Sequence, residues 1–298
     1  MDGCTYPTDI LTSDLDVAML GARIVVVATV ANAHRWIAEQ LAEREMSRPI
    51  VLCPGRTGGA LEVQHILACR NVRASVVELQ TSPLLTRAVG AEVLVLSRKQ
   101  AVPAAAAQGP LPVSVQEVLP GIRDVHSVLV TSFDNVGAML HPPLVLSRLA
   151  AIEAGNSGGF YVDPPSAALD MIEELDAERL GVAQAYGVPV PSLRDWFEIS
   201  YGNGAAELAD LLVSTPGYGH VPGPATPATR QLTEDVPMGL VPLGEFGELA
   251  GVQMPMTRRV VRQASRALGR DFAREGRRLA DLGLADLDVP QITLRWGP

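Results

Sequence analysis

The segment from residue 22 to residue 59, ARIVVVATVANAHRWIAEQLAEREMSRPIVLCPGRTGG, decides the fold. Its β-branched run Arg23–Thr29 predicts a strand that is buried on both faces. The stretch Asn32–Met46 places apolar side chains on one stripe of a helix, and Pro49–Pro54 predicts a second buried strand. A strand, a helix and a strand in this order predict a parallel sheet joined by right-handed crossovers.

The chain continues in the same alternating pattern to about residue 100. Gly55–Gly59 (GRTGG) predicts a turn and Ala60–Arg70 a helix. Ala74–Leu79 and Ala91–Leu96 predict two further short strands of the sheet. Val102–Pro112 is rich in alanine and proline, and we interpret it as a surface connection.

From about Asp134 the apolar residues recur with a helical period. Pro165–Gly187 is the longest example, and Gly187 with the nearby Pro189 predicts where it ends. Ser214–Thr229, rich in glycine and proline, predicts an ordered loop or a linker. Five other segments predict helices: Ser192–Ile199, Ala205–Val213, Pro242–Ala250, Thr257–Leu268 and Asp271–Leu282. The predicted fold class is therefore α/β followed by all-α.

Composition excludes several classes of protein. The 298 residues can bury a full core, so neither global disorder nor a disulfide-dependent miniprotein is expected. The net charge of −9 and the 4% content of aromatic residues argue against a nucleic-acid partner. An acidic chain can still bind a small anion, because one arginine is enough to hold a carboxylate.

The cysteines and the N-terminus indicate in which compartment of the cell the protein is expected. Three cysteines (Cys4, Cys53 and Cys69) cannot all pair and show no metal-ligand spacing, which predicts a reduced, cytoplasmic protein with no metal site. Apolar runs are too short for a membrane span, and the first residues do not resemble a signal peptide. We therefore expect no membrane partner.

Three polar residues of the second half are candidates for chemistry. His141 precedes Pro142 and Pro143, which we interpret as the head of an apolar helix, and Arg230 lies five residues before Asp235. A histidine against an aspartate can act as general acid or base, and an arginine beside them can hold a carboxylate. A capping or packing histidine and a surface ion pair would explain the same spacing, so these alternatives stay open on the residues alone.

Several longer motifs carry a resemblance to a known family. They are Arg56–Leu67 (RTGGALEVQHIL), Asp134–Glu153, Leu175–Gly202, Thr229–Pro242 and Asp271–Leu284. Together they resemble the octopine/nopaline, or opine, dehydrogenase family from about Asp9 to Leu284. Members combine a Rossmann domain with a helical domain, and they reductively condense an amino acid with a 2-oxo acid using NADH or NADPH.

The resemblance implies roles for individual residues. His141 corresponds to the catalytic histidine, Asp235 to the aspartate that orients it, and Arg230 to an arginine that holds the substrate carboxylate. It also implies a partial Rossmann-like domain over residues 1–132 and a helical substrate domain over residues 133–298. A small-molecule amine and a 2-oxo acid are the expected partners, and a homodimer is expected because the family's helical domains can mediate dimers.

The largest departure from the family concerns the nucleotide site. The family begins with a strand–GxGxxG–helix unit that binds the pyrophosphate, and this sequence contains no such fingerprint; its GRTGG follows the wrong strand. We expect the chain to lack its true start or to have lost the site, and in either case an exposed strand edge. The candidates for cofactor contact are Ala28, Thr29, Val30, Ala31 and Gly55, and the cofactor is NAD, NADP or none.

Smaller departures fall on substrate positions. Gly137 and Arg148 each stand where the family has an asparagine, and Ala151 stands where it has an arginine. Asn135 is a candidate to compensate for these changes. Arg148 either holds a second carboxylate or is a solvated residue of a helix. Three functions follow: an NAD(P)H-dependent opine dehydrogenase-like oxidoreductase; an enzyme that uses the same pocket for condensation, dehydration or cyclisation without hydride transfer; and an inactive binding or scaffold protein.

Overall fold

The computed structural model describes residues 9–44, 46–90, 92–119 and 121–298. Cys4 therefore lies outside the described residues. Five strands form one sheet in the order β1-β2-β3-β6-β7, and two form a separate hairpin. The strands are β1 Val25–Val27, β2 Ile50–Leu52, β3 Val76–Leu79, β4 Leu84–Val89, β5 Glu92–Arg98, β6 Val102–Ala106 and β7 Ile122–Asp124.

The first three strands pair in parallel, as predicted, and β6 pairs in parallel with β7. The pair β3–β6 is antiparallel, so the sheet as a whole is mixed. The reason is the hairpin β4–β5, which leaves the end of β3 and returns the chain alongside it in the opposite direction. The predicted parallel pairing therefore holds for three of these four strand pairs and not for β3–β6.

The interpretation of Val102–Pro112 as a surface connection was wrong for its first five residues, whereas residues 108–110 are exposed and connect two elements. Residues 102–106 form β6 in the sheet interior, and every residue of that strand is buried. Its alanines have little strand propensity of their own, but their small side chains fit between β3 and β7 and the layers that cover the sheet. Burial has overridden local preference here.

The strand predicted over Ala91–Leu96 exists as β5, but it belongs to the hairpin and not to the sheet; Ala91 itself lies outside the described residues. The four residues Glu92–Val95 are exposed, and β4 is exposed over its second half. The hairpin therefore projects from the sheet and brings the residues at its base towards the helical half of the chain.

Helices cover the sheet and form the second half. Those of the first half are Leu15–Met19, His34–Ala42, Gly59–Cys69, Val113–Val118 and Val128–Phe133, with a 3-10 turn at Ala31–Ala33. Those of the second half are Val136–Leu146, Leu149–Glu153, Ser166–Ala185, Leu193–Tyr201, Leu208–Ser214, Arg230–Thr233, Val241–Leu249, Pro255–Leu268, Phe272–Glu275 and Val289–Trp296.

Most predicted helices agree with these bounds within a few residues. Asp271–Leu282 is the exception, because only Phe272–Glu275 is helical and the segment then turns towards the sheet. The loop Ser214–Thr229 is an ordered loop and not a linker, since it contains the 3-10 turn Tyr218–His220 and the side chain of Tyr218 is buried.

One apolar core joins the two halves of the chain. It includes Met19 and Leu52 from the sheet side as well as Leu175 and Trp296 from the helical side. The domain boundary at residues 132–133 therefore remains a prediction. β1 is an edge strand, and Val26 on it is 42% exposed. Among the described residues no helix combines the length and apolarity that crossing a bilayer requires.

Candidate active site

A strained turn after β2 presents the first polar group of the site. Arg56 has φ +64°, in the left-handed region that residues with a Cβ seldom adopt, and Gly58 follows with φ +76°. Gly55 precedes them because a Cβ there would lie 2.3 Å from Cγ of Glu78. The turn is therefore held by close packing, and strain of this kind is concentrated at functional sites.

The second polar group, His141, lies in the middle of the helix Val136–Leu146 and not at its head as expected. Pro142 and Pro143 are inside the same helix and remove two of its backbone hydrogen bonds. The partner of His141 lies at the start of a π-helical turn, Val236–Leu240. Irregular helical segments of this kind are frequent at functional sites.

The two irregular helices approach each other closely. A Cβ on Gly239 of the π-helical turn would lie 2.6 Å from Cβ of Ala138. Glycine is therefore required for this approach, which brings Asp235 against His141. His141 Nδ1 lies 2.7 Å from Asp235 Oδ2, and Nε2 lies 3.1 Å from the hydroxyl oxygen of Tyr161.

The contact determines the tautomer of the histidine. An ionised carboxylate can only accept hydrogen bonds, so Nδ1 of His141 carries a proton and donates it to Asp235. Nε2 is then the nitrogen that can accept or return a proton. In this structure its neighbour is the hydroxyl of Tyr161, which can donate to it.

Asp235 remains ionised because of its neighbours. Burial alone would raise its pKa, but the Arg56 guanidinium and the His141 ring outweigh burial, and the pKa lies well below the usual value for aspartate. Arg56 Nη2 is 3.4 Å from Asp235 Oδ1, and Arg56 Nε is 3.1 Å from Glu234 Oε1. The three side chains are almost completely buried, so the arginine provides the countercharge for two carboxylates.

Arg230 lies at the opening of the same site. Its Nη1 atom is 3.3 Å from Glu234 Oε2, while its side chain is 51% exposed. One face of the guanidinium is therefore available to a ligand. The geometry suits an anion that enters beside His141.

Arg56, His141, Arg230 and Glu234 line one cavity of about 370 Å³. From the sheet side it is bounded by Ala28, Thr29, Val30, Pro54, Arg56, Gln80 and Lys99, together with Thr81, Ser82, Leu84, Leu85 and Thr86. From the helical side it is bounded by Asn135, Val136, Gly137, Leu140, His141, Tyr161, Trp196, Tyr201, Tyr218, Arg230 and Glu234. A larger cleft of about 710 Å³ elsewhere on the protein is lined by neither His141 nor Arg230. We therefore take the smaller cavity, which contains these polar groups, as the candidate active site.

Two predicted substrate positions lie in the cavity wall. Asn135 donates from Nδ2 to Thr57 Oγ1 at 3.2 Å, and its Oδ1 is buried without a hydrogen-bond partner. Gly137 faces the reacting groups, because a Cβ there would lie 3.0 Å from Arg56 Nη1 and 3.3 Å from His141 Cε1. An asparagine at residue 137 would require Arg56 to move.

Four predicted site residues do not line this cavity, and one of them is Asp235, which lies behind His141. The backbone N–H of Ala31 donates to Glu234 Oε1 at 3.1 Å, and Gly55 packs against Glu78. Arg148 donates to four backbone carbonyls, those of Gly159, Phe160, Val162 and Asp163. Its guanidinium therefore holds the segment that contains Tyr161. Arg148 is not part of the cavity wall that a substrate would contact.

Sequence reasoning missed several residues of the site. Arg56 lies in the quoted RTGG motif and Glu234 is adjacent to Asp235, but neither was assigned a role. The aromatic residues Tyr161, Trp196, Tyr201 and Tyr218 and the cation Lys99 were also missed. The available signal was a charged residue in a turn directly after a predicted buried strand, where ligands of α/β proteins bind.

A second buried network lies behind the turn. Glu78 Oε1 accepts from the hydroxyls of Thr131 (2.7 Å) and Ser132 (3.1 Å), and Oε2 accepts from the N–H of Ala60. Burial raises the pKa of Glu78 to about 7. Arg277 donates to Glu62 at 2.8 Å and to the carbonyl of Thr57 at 2.7 Å, so it anchors the same turn. Within the described ranges no group of His, Cys, Asp and Glu side chains is arranged to hold a metal ion.

Comparison with known proteins identifies the class to which this fold and site belong. Residues 124–268 match the family model described as NAD/NADP octopine/nopaline dehydrogenase, alpha-helical domain. An opine dehydrogenase of Arthrobacter sp. (strain 1C) is 36% identical over 97% of this chain and 83% of its own length. A vitopine synthase of Allorhizobium ampelinum is 29% identical over 92% of this chain and 78% of its own length.

Solved structures agree on the fold. An octopine dehydrogenase solved with NADH and L-arginine superposes with a TM-score of 0.79 over 96% of this chain and 81% of that chain, at 21% identity. This match confirms the predicted fold class, a Rossmann-like sheet followed by a helical region. The chain belongs to the octopine dehydrogenase family, and it is an opine dehydrogenase-like oxidoreductase.

Proposed function

We propose that this enzyme reductively condenses an amino acid with a 2-oxo acid at the cavity around His141, using NADH or NADPH. The observation that carries the proposal is the 2.7 Å contact between His141 and the buried carboxylate of Asp235, in a cavity that also exposes Arg230. The family's activity and the NADH complexes of octopine dehydrogenase support the same reaction.

The residues present fit the nicotinamide end of the cofactor. Ala28, Thr29 and Val30 follow the carboxyl end of β1 and line the cavity next to His141, at the sheet edge where α/β proteins bind ligands. The N–H of Ala31, at the start of the next turn, is bonded to Glu234. Ala28–Val30 and Pro54 would therefore hold the nicotinamide, which supplies a hydride to the imine carbon when the cofactor is bound.

The side chains of this chain would carry out the rest of the reaction. Arg230 binds the carboxylate of the 2-oxo acid through its exposed face. In the imidazolium form, which Asp235 stabilises, His141 gives the Nε2 proton to the carbonyl oxygen as the substrate amine attacks. The Nε2 atom then takes the proton that the attacking amine loses and returns it to the new hydroxyl, which leaves as water and gives the imine. Tyr161, whose hydroxyl is next to Nε2, is displaced by the substrate oxygen or hydrogen-bonds to it.

The first test is mutation of the acid–base pair. His141→Ala and Asp235→Asn should each lower kcat by about 100-fold or more, the usual effect of losing a positioned proton-transfer group. The assay follows NADH and NADPH oxidation with pyruvate and each common amino acid in turn. Normal turnover by both variants would exclude a role for this pair.

One observation favours a second candidate. Amine addition and loss of water need only a proton-transfer group, so condensation without hydride transfer would use the same contact between His141 and Asp235. Calorimetric titration with NADH and NADPH separates the two functions. Micromolar binding supports the reductive reaction, whereas no binding at millimolar nucleotide, with an amine–carbonyl product detected by mass spectrometry, supports the second.

A further inference from the structure

One basic residue of the cavity differs from all the others in the chain. The sequence has 24 lysine and arginine residues, and Lys99 is its only lysine. It directly follows β5 at the base of the hairpin and lines the cavity that contains His141 and Arg230. A chain that uses arginine at every other basic position has a compact ammonium group at this one place.

The surroundings of Lys99 orient its ammonium group without neutralising it. Nζ donates to the backbone carbonyl of Ser82 at 2.9 Å and lies 5.5 Å from the ring centroid of Tyr201. An ammonium over an aromatic ring is attracted to it, but the ring carries no net charge. Of the carboxylates in the described ranges, none lies within 4.0 Å of Nζ.

The charges around the cavity leave one cation in excess. Arg56 is bonded to Glu234 and lies against Asp235, and Arg230 is bonded to Glu234. Lys99 has no such partner, and burial together with the charge of Arg56 lowers its pKa to about 8. At neutral pH the ammonium is still mostly protonated, so an anionic ligand would relieve both its desolvation and its repulsion from Arg56.

The reaction proposed above requires two organic acids to meet at His141 if the amine donor is an amino acid. Arg230 is available to only one of the two carboxylates. The wall near Lys99 is formed by Trp196, Tyr201 and Tyr218, which are buried and in contact with one another through Tyr201. This wall suits an apolar side chain, while Lys99 next to it suits a carboxylate.

We propose that Lys99 binds the α-carboxylate of the amine donor, so that the enzyme selects α-amino acids with apolar side chains over simple amines. This inference rests on the proposed condensation at His141. A lysine suits the place because two of its three donors remain after the bond to Ser82, whereas a guanidinium would place a wider planar group beside the Tyr201 ring.

The kinetic test compares substrates with and without the carboxylate. For the best amino acid of the common set, Lys99→Met should raise KM about 10- to 100-fold, the cost of a hydrogen bond to a charged group. KM for the 2-oxo acid should change less than twofold. The amide of the same amino acid should be a poor substrate of the parent enzyme and equally poor for the variant.

Arg98→Met is the matched control, because it removes a neighbouring positive charge from an exposed position of β5. It should leave the KM values for the amino acid, for its amide and for the 2-oxo acid unchanged. A Lys99→Met variant whose KM rises for the 2-oxo acid, or whose affinity falls for NADPH, would overturn the proposal, since Lys99 would then hold a different anion.

A binding experiment tests Lys99 independently of turnover. Expression with ε-¹³C-lysine labels Lys99 alone and leaves all three of its donors in place. The Cε resonance is followed in the intact protein during titration with each common amino acid and its amide. Apolar amino acids should shift the Lys99 signal at concentrations that leave it unchanged for their amides. If none of the amino acids shifts it, the proposal is wrong even if reductive condensation is observed. If they shift it and no condensation occurs, the proposed reaction is wrong while the carboxylate site stands.

Discussion

At the scale of single residues, the site depends on Arg56. Its guanidinium faces two buried carboxylates, Glu234 and Asp235, and its backbone is held in a conformation with φ +64°. One of those carboxylates is the partner of His141. Arg56 therefore links the turn of the sheet to the acid–base pair of the helical half.

Replacing Arg56 should test this link. We expect Arg56→Met to lower the free energy of unfolding by about 3–5 kcal/mol, because it removes the buried countercharge and leaves Glu234 and Asp235 only the half-exposed Arg230 and the His141 ring. Urea unfolding followed by circular dichroism measures the loss. A variant as stable as the parent would show that the carboxylates are protonated or otherwise compensated.

Arg230→Met provides the comparison. Arg230 is half exposed, and ion pairs of such side chains contribute at most about 1 kcal/mol. Its replacement should therefore leave stability nearly unchanged.

Sequence reasoning reached part of this site. The proximity of His141 and Asp235, 94 residues apart, came from the family resemblance, since spacing alone left a capping histidine and a surface ion pair open. Arg56 could not be found by periodicity, because its importance comes from burial against residues far along the chain. Arg148 was a wrong expectation for a similar reason: nothing local shows that four carbonyls surround its guanidinium.

At the scale of elements, β3 supports the turn that carries Arg56. Glu78 on β3 accepts bonds from the helix Val128–Phe133 and from the first turn of the helix Gly59–Cys69. Its carboxyl is completely buried, and its pKa is raised to about 7. The packing of these three elements is therefore sensitive to pH.

The sign of this dependence follows from the two protonation states. Between the ordinary pKa of 4.5 and about 7, folded Glu78 holds a proton that the unfolded chain releases, so stability falls as pH rises through this interval. The contribution amounts to about 3 kcal/mol at most. Glu78→Gln should remove it, and urea unfolding at several values between pH 5 and pH 8 measures the difference.

Asp134 is also buried with a pKa raised to about 7, so the variant should keep part of the slope. The informative quantity is the difference in the free energy of unfolding between Glu78→Gln and the parent at each pH. The same slope in both proteins would mean that Glu78 is already ionised in the folded state at pH 5.

The elements themselves could be predicted where local pattern and burial agree. β1, β2 and the helix Ser166–Ala185 have strong apolar patterns and were found within a few residues. β6 was missed because its alanines and proline have no such pattern, and the antiparallel pairing of β3 with β6 depends on a hairpin whose exposure the sequence did not reveal.

At the scale of the whole molecule, the cavity lies where the sheet and the helical half meet. Its walls come from Ala28 and Arg56 on one side and from His141 and Arg230 on the other. A ligand there contacts both halves at once. Ligands that bind only the folded chain stabilise it by mass action.

Cofactor and substrate should therefore raise the melting temperature together. At 100 times its dissociation constant, each ligand adds about 2.7 kcal/mol, which for a chain of this size corresponds to a rise of about 4 °C. Differential scanning calorimetry with NADPH, with pyruvate and with both measures the increments. Arg230→Met should lose the increment from pyruvate and keep that from NADPH. An unchanged melting temperature at millimolar ligand would contradict ligand binding across the two halves.

The expectation of a homodimer stays a prediction at this scale. Among the strands of the described ranges β1 lies at the edge of the sheet, with Val26 exposed, and a sheet edge can pair with another strand. Size-exclusion chromatography with light scattering would determine the state in solution.

The anchoring of the turn by Arg277 has a consequence for synthesis of the chain. The guanidinium that holds the carbonyl of Thr57 and the carboxylate of Glu62 lies more than 200 residues downstream of both. During translation, β1, β2 and the turn between β2 and its helix leave the ribosome long before this partner exists. We therefore expect the turn after β2 to stay incomplete in the nascent chain, with Glu62 lacking its buried countercharge. Only after residue 277 has emerged can the turn hold Arg56 in its final position.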